Sequence, residues 1–149
     1  MNQLIISSLK QEQGFFTEIK TPEHTFICDE PLSAGGTNEG PDPVTLALGG
    51  LGACTAMTLK LYYEHKKVSW RQIDVHIKTE VKRVSEDDLP EEEKPFLNRG
   101  RIRYVYKDIH LAGIDDDTAF ERSKDIAEKC PVNQMMHKNV VMKTTMHRS

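Results

Sequence analysis

The run Gly40-Pro41-Asp42-Pro43-Val44-Thr45-Leu46-Ala47-Leu48-Gly49-Gly50-Leu51-Gly52-Ala53-Cys54-Thr55-Ala56-Met57-Thr58-Leu59 decides the architecture. Asp42 is suited to cap a helix and Pro43 to open it, where a missing N–H costs nothing. No residue from Pro43 to Leu59 is charged, and the first charge is Lys60. That length, without β-branched enrichment, predicts a helix rather than a strand. Being apolar all round, it is expected to lie buried at the centre of the molecule. Gly49, Gly50 and Gly52 each disfavour a helix by roughly 1 kcal/mol relative to Ala. Close approach of a second backbone is the expected compensation.

Upstream, short apolar runs separated by turns predict strands: Leu4-Ile5-Ile6, then Phe15 to Ile19 after Gly14, then His24 to Cys28 after the Thr21-Pro22-Glu23 turn. The loop Gly35-Gly36-Thr37-Asn38-Glu39-Gly40 shares the glycine spacing of a phosphate loop. It continues into Pro41-Asp42 instead of Lys-Ser/Thr, so it reads as a structural turn. Downstream, Ile73 to Lys82 alternates strictly and predicts a strand with one buried and one wet face. The acidic stretch 85–100, interrupted by Pro90 and Pro95, reads as a solvated loop. Arg101 to Leu111 is the expected partner strand. After Asp115–Asp117, the stripe Ala119, Phe120, Ser123, Ile126, Ala127 and Cys130 has helical spacing, and Pro131 interrupts it. A turn from Val132 to Met136 and a last strand, Val140 to Met146, complete the expected order. This is an α+β arrangement around a mainly antiparallel sheet.

The 149 residues suit a single domain, 1–149. Net charge is −3, with 20 basic and 23 acidic residues, so no basic footprint for nucleic acid or an anionic membrane is present. The N-terminus lacks the pattern of a signal peptide, and no apolar run is expected to reach membrane-spanning length. Three cysteines, Cys28, Cys54 and Cys130, then point to a reducing cytoplasm. Six histidines show neither H-E-x-x-H nor paired cysteine spacing. Cys54, Cys130 and a histidine such as His137 form a minor metal-site alternative. No nucleophile-elbow motif supports Ser-His-Asp catalysis.

Cys54 and Cys130 each fall on the apolar face of their own predicted helix. Two packed helices could bring the sulfurs together, which bridging requires to within ~7 Å between α carbons. Two inert buried thiols fit the same pattern. Cys28, at period two with Phe26 in a strand, reads as a core filler.

Gly40-Pro41-Asp42-Pro43, Leu46 and Gly49 to Thr58, followed by Ile126-Ala127-Glu128-Lys129-Cys130-Pro131-Val132, resemble the two cysteine motifs of the OsmC/Ohr family. Asp29-Glu30-Pro31 before Gly35-Gly36 resembles its OsmC-like branch, and the similarity spans nearly the whole chain. The resemblance implies a mainly antiparallel sheet with two central helices, assembled as an intertwined homodimer. It also implies thiol-dependent reduction of organic hydroperoxides. Cys54 would be the peroxidatic thiolate and Cys130 the resolving thiol, with an external dithiol as reductant and no metal, flavin or nicotinamide.

The family's peroxidases usually place a Glu directly after the Pro that opens the first helix, paired with an N-terminal Arg that activates the thiolate. Here Val44 follows Pro43, and no Arg precedes Arg71. Lys10 and Lys20 are the only lysines ahead of the helix, with His24 as a titratable addition. Since a free thiol has a pKa near ~8.5, activation needs a supporting group; Glu39 and Lys20 are the candidates. A stress-associated binding protein on the same fold, with little turnover, is the alternative.

Overall fold

Asp42 starts the central helix as its chemistry predicts. Its Oδ1 accepts the N–H of Val44 at 3.0 Å and of Thr45 at 3.1 Å, and helix α1 runs over Pro43–Lys66. The structure is a computed structural model that describes residues 4–137 and 140–148. Residues up to Gly50 and residues from Leu51 form two compact units.

In the first unit, β1 (Ile6–Leu9), β2 (Thr17–Lys20) and β3 (Thr25–Cys28) make an antiparallel meander in the order β1-β2-β3. Thr17 faces Cys28 and Lys20 faces both Ile6 and Thr25 in the two registers. The loop from Asp29 to Asp42 is closed by the buried Asp29 carboxylate. Its oxygens accept the N–H of Glu30 (2.8 Å), Thr37 (3.0 Å) and Glu39 (3.2 Å) and the Thr37 hydroxyl (2.6 Å). Backbone passes so close that a Cβ at Gly36 would sit 1.9 Å from the Glu30 carbonyl oxygen, and one at Gly40 would sit 2.5 Å from that of Ile27. Only glycine leaves room at either position. The stretch is therefore a rigid turn that delivers the Asp42 cap, as the absence of a phosphate-loop lysine implies.

In the second unit, β4 (Gln72–Arg83) and β5 (Arg101–Ala112) pair antiparallel along their full length, from Gln72↔Ala112 to Arg83↔Arg101. Helix α2 (Asp117–Ala127) is capped by Asp116, whose side chain accepts the N–H of Ala119 at 2.8 Å. Helix α3 (Pro131–His137) follows after three residues. The core gathers Leu59, Tyr63 and Ala127, with Trp70, Ile73, Ile109 and Leu111 packed around them. The α+β class with antiparallel sheets is as expected.

Several details differ from the sequence reading. α1 is not buried all round: Leu51, Thr55, Leu59 and Tyr63, one residue per turn, form its buried stripe. Met57 and Leu61 are 64% and 66% exposed. α1 also qualifies, by length and composition alone, as a membrane span, against the expectation that no run would. The core helix of a soluble protein passes the same test, and protein packs on this helix along one stripe. Of its glycines, Gly52 lies against β4, its ideal Cβ position 3.4 Å from Ile77 Cδ1, whereas a Cβ at Gly49 or Gly50 would meet nothing beyond the helix's own backbone within 4 Å among the described residues. Val132 to Met136 is helix, not turn, because Pro131 opens α3 instead of only ending α2. Residues 140–148 form no strand: a strand needs a ladder partner, and none pairs with them among the described residues. The acidic stretch is largely exposed as expected, although Leu89 is buried and Tyr104 donates to Glu93 at 2.6 Å.

Candidate active site

Two polar stitches fasten α1 to the helices beyond it. Tyr63, fully buried, meets Ser123 with 2.6 Å between hydroxyl oxygens. Ser123 spends its proton on the Ala119 carbonyl at 2.7 Å, so Tyr63 is the donor. Burial pushes the Tyr63 phenol above its ordinary pKa. Two turns earlier, Thr55 Oγ1 lies 3.6 Å from Cys130 Sγ, both residues at 0% exposure. Thr55 donates its proton to the Leu51 carbonyl at 2.9 Å. A hydroxyl has one proton to give, so Cys130 donates S–H to Thr55.

Cys130 thus meets the residue that adjoins Cys54, and no disulfide joins the two cysteines. Cys54 is half-buried on α1, Cys130 is buried between α2 and α3, and all three cysteines are free. Thr55 adjoins Cys54, with α carbons about 3.8 Å apart. Successive helical side chains diverge by about 100°, so Cys54 points off the stripe that carries Thr55.

Cys130 has a second partner. Its Sγ accepts the Asn133 N–H at 3.3 Å, the position of an N-cap acceptor at the start of α3. Asn133 is buried and fully engaged. Its Nδ2 donates to the Glu128 carbonyl at 3.0 Å and carboxylate at 3.2 Å, and its Oδ1 accepts from Lys107 Nζ at 3.0 Å. Lys107 also pairs with Glu128 at 3.0 Å. A cavity of about 360 Å³ is walled by Leu51, Lys107, Glu128 and Asn133 together with Phe96, Ile102 and Met136. None of Thr55, Lys107 or Asn133 was singled out from sequence. The available signals were Thr55 four residues from Leu51 and Leu59, Lys107 between Val105 and Ile109, and Asn three residues after a Cys-Pro.

The two supporting candidates do other work. Lys20 Nζ pairs with Glu18 at 2.7 Å, an exposed contact of little energetic weight. Glu39 accepts from the Thr37 hydroxyl at 3.2 Å and forms no ion pair among the described residues, so it orients no base there. Val44, where the resemblance would place Glu, gives its N–H to the Asp42 carboxylate. Cys28 is 5% exposed, and its thiol pKa is pushed up by burial first and then by the charges of Asp42, Glu30 and Asp29. That is an inert core thiol, as its pattern suggested. No three His, Cys, Asp or Glu among the described residues are grouped to hold a metal ion.

Residues 36–145 match the OsmC-like protein family. The chain belongs to the OsmC-like family. Solved OsmC-like structures share its fold. A Legionella pneumophila organic hydroperoxide resistance protein OsmC is 16% identical, covering 93% of this chain and 91% of its own, with a TM-score of 0.64. An OsmC-like protein from Mycoplasma pneumoniae is 17% identical over 93% and 89%, with a TM-score of 0.64. An organic hydroperoxide resistance protein from Elizabethkingia anophelis, with thiocyanate bound, is 18% identical over 91% and 89%, with a TM-score of 0.62. Comparison with curated proteins finds no match. In this OsmC-like chain, Cys54 and Cys130 fall inside the matched span, as does Glu39, while Lys20 precedes it.

Proposed function

We propose that this OsmC-like chain is a thiol-dependent peroxidase acting on small organic hydroperoxides, with Cys54 as the attacking thiolate and Cys130 as the resolving thiol. The observation that carries the reading is the 3.6 Å approach of buried Cys130 to Thr55, the neighbour of Cys54. Two solved relatives are named organic hydroperoxide resistance proteins, which supports the substrate class. The Cys54 thiolate attacks the peroxide O–O bond, giving a sulfenic acid and an alcohol. Cys130 then displaces hydroxide from that sulfur, which leaves as water, and the disulfide is reduced by an external dithiol. The reaction needs no further cofactor. The 149 residues act as one domain in a cytoplasmic homodimer, for which the exposed α1 residues Met57 and Leu61 are the motivation.

The test is intact-mass and thiol analysis after one equivalent of tert-butyl hydroperoxide. Wild type is expected to lose two hydrogens and two free thiols, Cys54→Ser to remain unreacted, and Cys130→Ser to stop at one added oxygen. Reduced Cys54 and Cys130 after treatment, or equal peroxide consumption by Cys54→Ser, would sink the proposal.

A second reading, a binding protein on this fold with little turnover, is favoured by Val44 and by the absence of any ion pair at Glu39 among the described residues. It predicts slow oxidation that Val44→Glu does not accelerate. Robust turnover by the unmodified chain refutes it.

A further inference from the structure

We infer that Lys107, Glu128 and Asn133 are a positioning device for the sulfur of Cys130. The inference rests on the reading of Cys130 as the resolving thiol and adds residues to it. Its starting point is an anomaly on β5. Lys107 faces Ile77 across the ladder and lies between Val105 and Ile109 on the same strand face, with its side chain only 11% exposed. Lysine is rarely buried unless paired. Its partner Glu128 remains 52% exposed, and a pair of that kind is poor compensation for desolvating an ammonium. An apolar residue would serve the strand face at least as well. What the ammonium does there is hold Asn133.

Asn133 leaves no side-chain atom idle. Lys107 holds its oxygen at 3.0 Å, and the carbonyl and carboxylate of Glu128 hold its nitrogen at 3.0 and 3.2 Å. These bonds tie both sides of the α2–α3 junction, Glu128 before Cys130 and Asn133 after it, to a strand. The clamp aims the Asn133 N–H at Sγ from 3.3 Å while the Thr55 hydroxyl meets the sulfur at 3.6 Å. The chain of contacts runs from β5 through α3 to the sulfur. Lys107 and Asn133 touch no substrate in this scheme; they fix the place from which the sulfur attacks and keep the Asn133 N–H on it as its proton leaves.

The step they serve is the second one. The Cys130 sulfur attacks the Cys54 sulfenic sulfur, the S–S bond forms and the S–O bond breaks. Hydroxide departs with the thiol proton as water; Cys130 is oxidised and the sulfenic sulfur is reduced. The experiment separates this step from the first. Full-length wild type, Lys107→Met, Lys107→Arg and Asn133→Ala are mixed with one equivalent of tert-butyl hydroperoxide and quenched over time. Dimedone reports the Cys54 sulfenic acid and non-reducing peptide mass reports the disulfide.

In Lys107→Met and Asn133→Ala, Cys54 should oxidise at the wild-type rate, while disulfide formation slows by roughly tenfold or more and sulfenic acid accumulates. Lys107→Arg, still able to donate to both partners, should restore most of the rate. A purely structural role would not produce a selective delay rescued by Arg. Wild-type disulfide rates in Lys107→Met overturn the inference, and Asn133→Ala decides it by the same ratio should Lys107→Met not fold. Wild type that forms neither sulfenic acid nor disulfide instead refutes the peroxidase reading beneath it.

Discussion

At the scale of single residues, chemistry separates groups that sequence treats alike. Three free thiols occupy three environments. Cys28 is buried beside acidic groups that, with burial, push its pKa up, Cys130 is sealed, and Cys54 alone is half-open. Brief alkylation with iodoacetamide near neutral pH should therefore modify Cys54 first and leave Cys28 untouched, with all three reacting in denaturant; peptide mass mapping reads the order. Early labelling of Cys28 would contradict its environment. Asp29 makes a second residue-scale prediction. The Thr37 hydroxyl is the main cause holding its carboxyl below the ordinary value, with the Glu39, Glu30 and Thr37 N–H groups assisting against the opposing effect of burial. Because the folded value lies below the unfolded one, its stabilisation is complete above the unfolded pKa and disappears as pH falls through the folded value. Asp29→Asn would aim amide hydrogens at those donors. It should melt below wild type at neutral pH and lose less on going from about pH 5 to pH 3. Parallel pH dependences for the two proteins would show that Asp29 does not anchor the loop.

Elements were legible where local signals agreed. α1 carried a cap, a Pro at its first position and a long uncharged run, and both of the cap's N–H bonds are present. The β4–β5 hairpin followed from alternation, and α2 from its stripe, in which Ala119, Ser123 and Ala127 are buried while Phe120 remains 55% exposed. α3 was not legible, because Cys-Pro after a helix reads as an ending unless the sulfur is recognised as the acceptor for Asn133. The candidate site was half legible for the same reason. Motifs find cysteines, whereas Lys107, Asn133 and Thr55 meet them only through long-range packing. The glycines show what a sequence count cannot apportion. Gly52 lies beside β4 at ordinary contact distance for one added carbon, 3.4 Å from Ile77 Cδ1. Gly52→Ala should thus gain up to about 1 kcal/mol of helix propensity, raising Tm by roughly 2–4 °C. Gly52→Val, with two further carbons directed at the strand, should lower it. Differential scanning calorimetry of both variants checks the argument, and a destabilised Gly52→Ala would place β4 closer than described.

On the scale of the whole molecule, unpartnered apolar surface is the feature to account for. Cys54, Met57 and Leu61 follow one another at helical spacing along α1, and Met57 and Leu61 are about two-thirds exposed, at 64% and 66%. Val141, Met142 and Met146 are 85%, 89% and 91% exposed. Scattered apolar residues are ordinary on a surface, but a helix stripe continuous with the half-buried Cys54 is the pattern of an interaction face. A second copy is the occupant that the proposed homodimer supplies, and it would also explain why a Cβ at Gly49 or Gly50 would meet nothing beyond the helix's own backbone within 4 Å among the described residues. The chain should then sediment at twice its 17.0 kDa mass. Leu61→Glu should shift it to the single-chain mass, since burying an unpaired carboxylate at such a face costs several kcal/mol, on the order of 3–5. Lys60→Gln, beside it but already occupied with Glu64, should leave the mass unchanged. If the cover also shelters Cys54, the Leu61→Glu monomer should lose peroxide turnover while its helical content is retained. A wild-type chain that sediments at the single-chain mass would leave this face without its occupant and refute the homodimer.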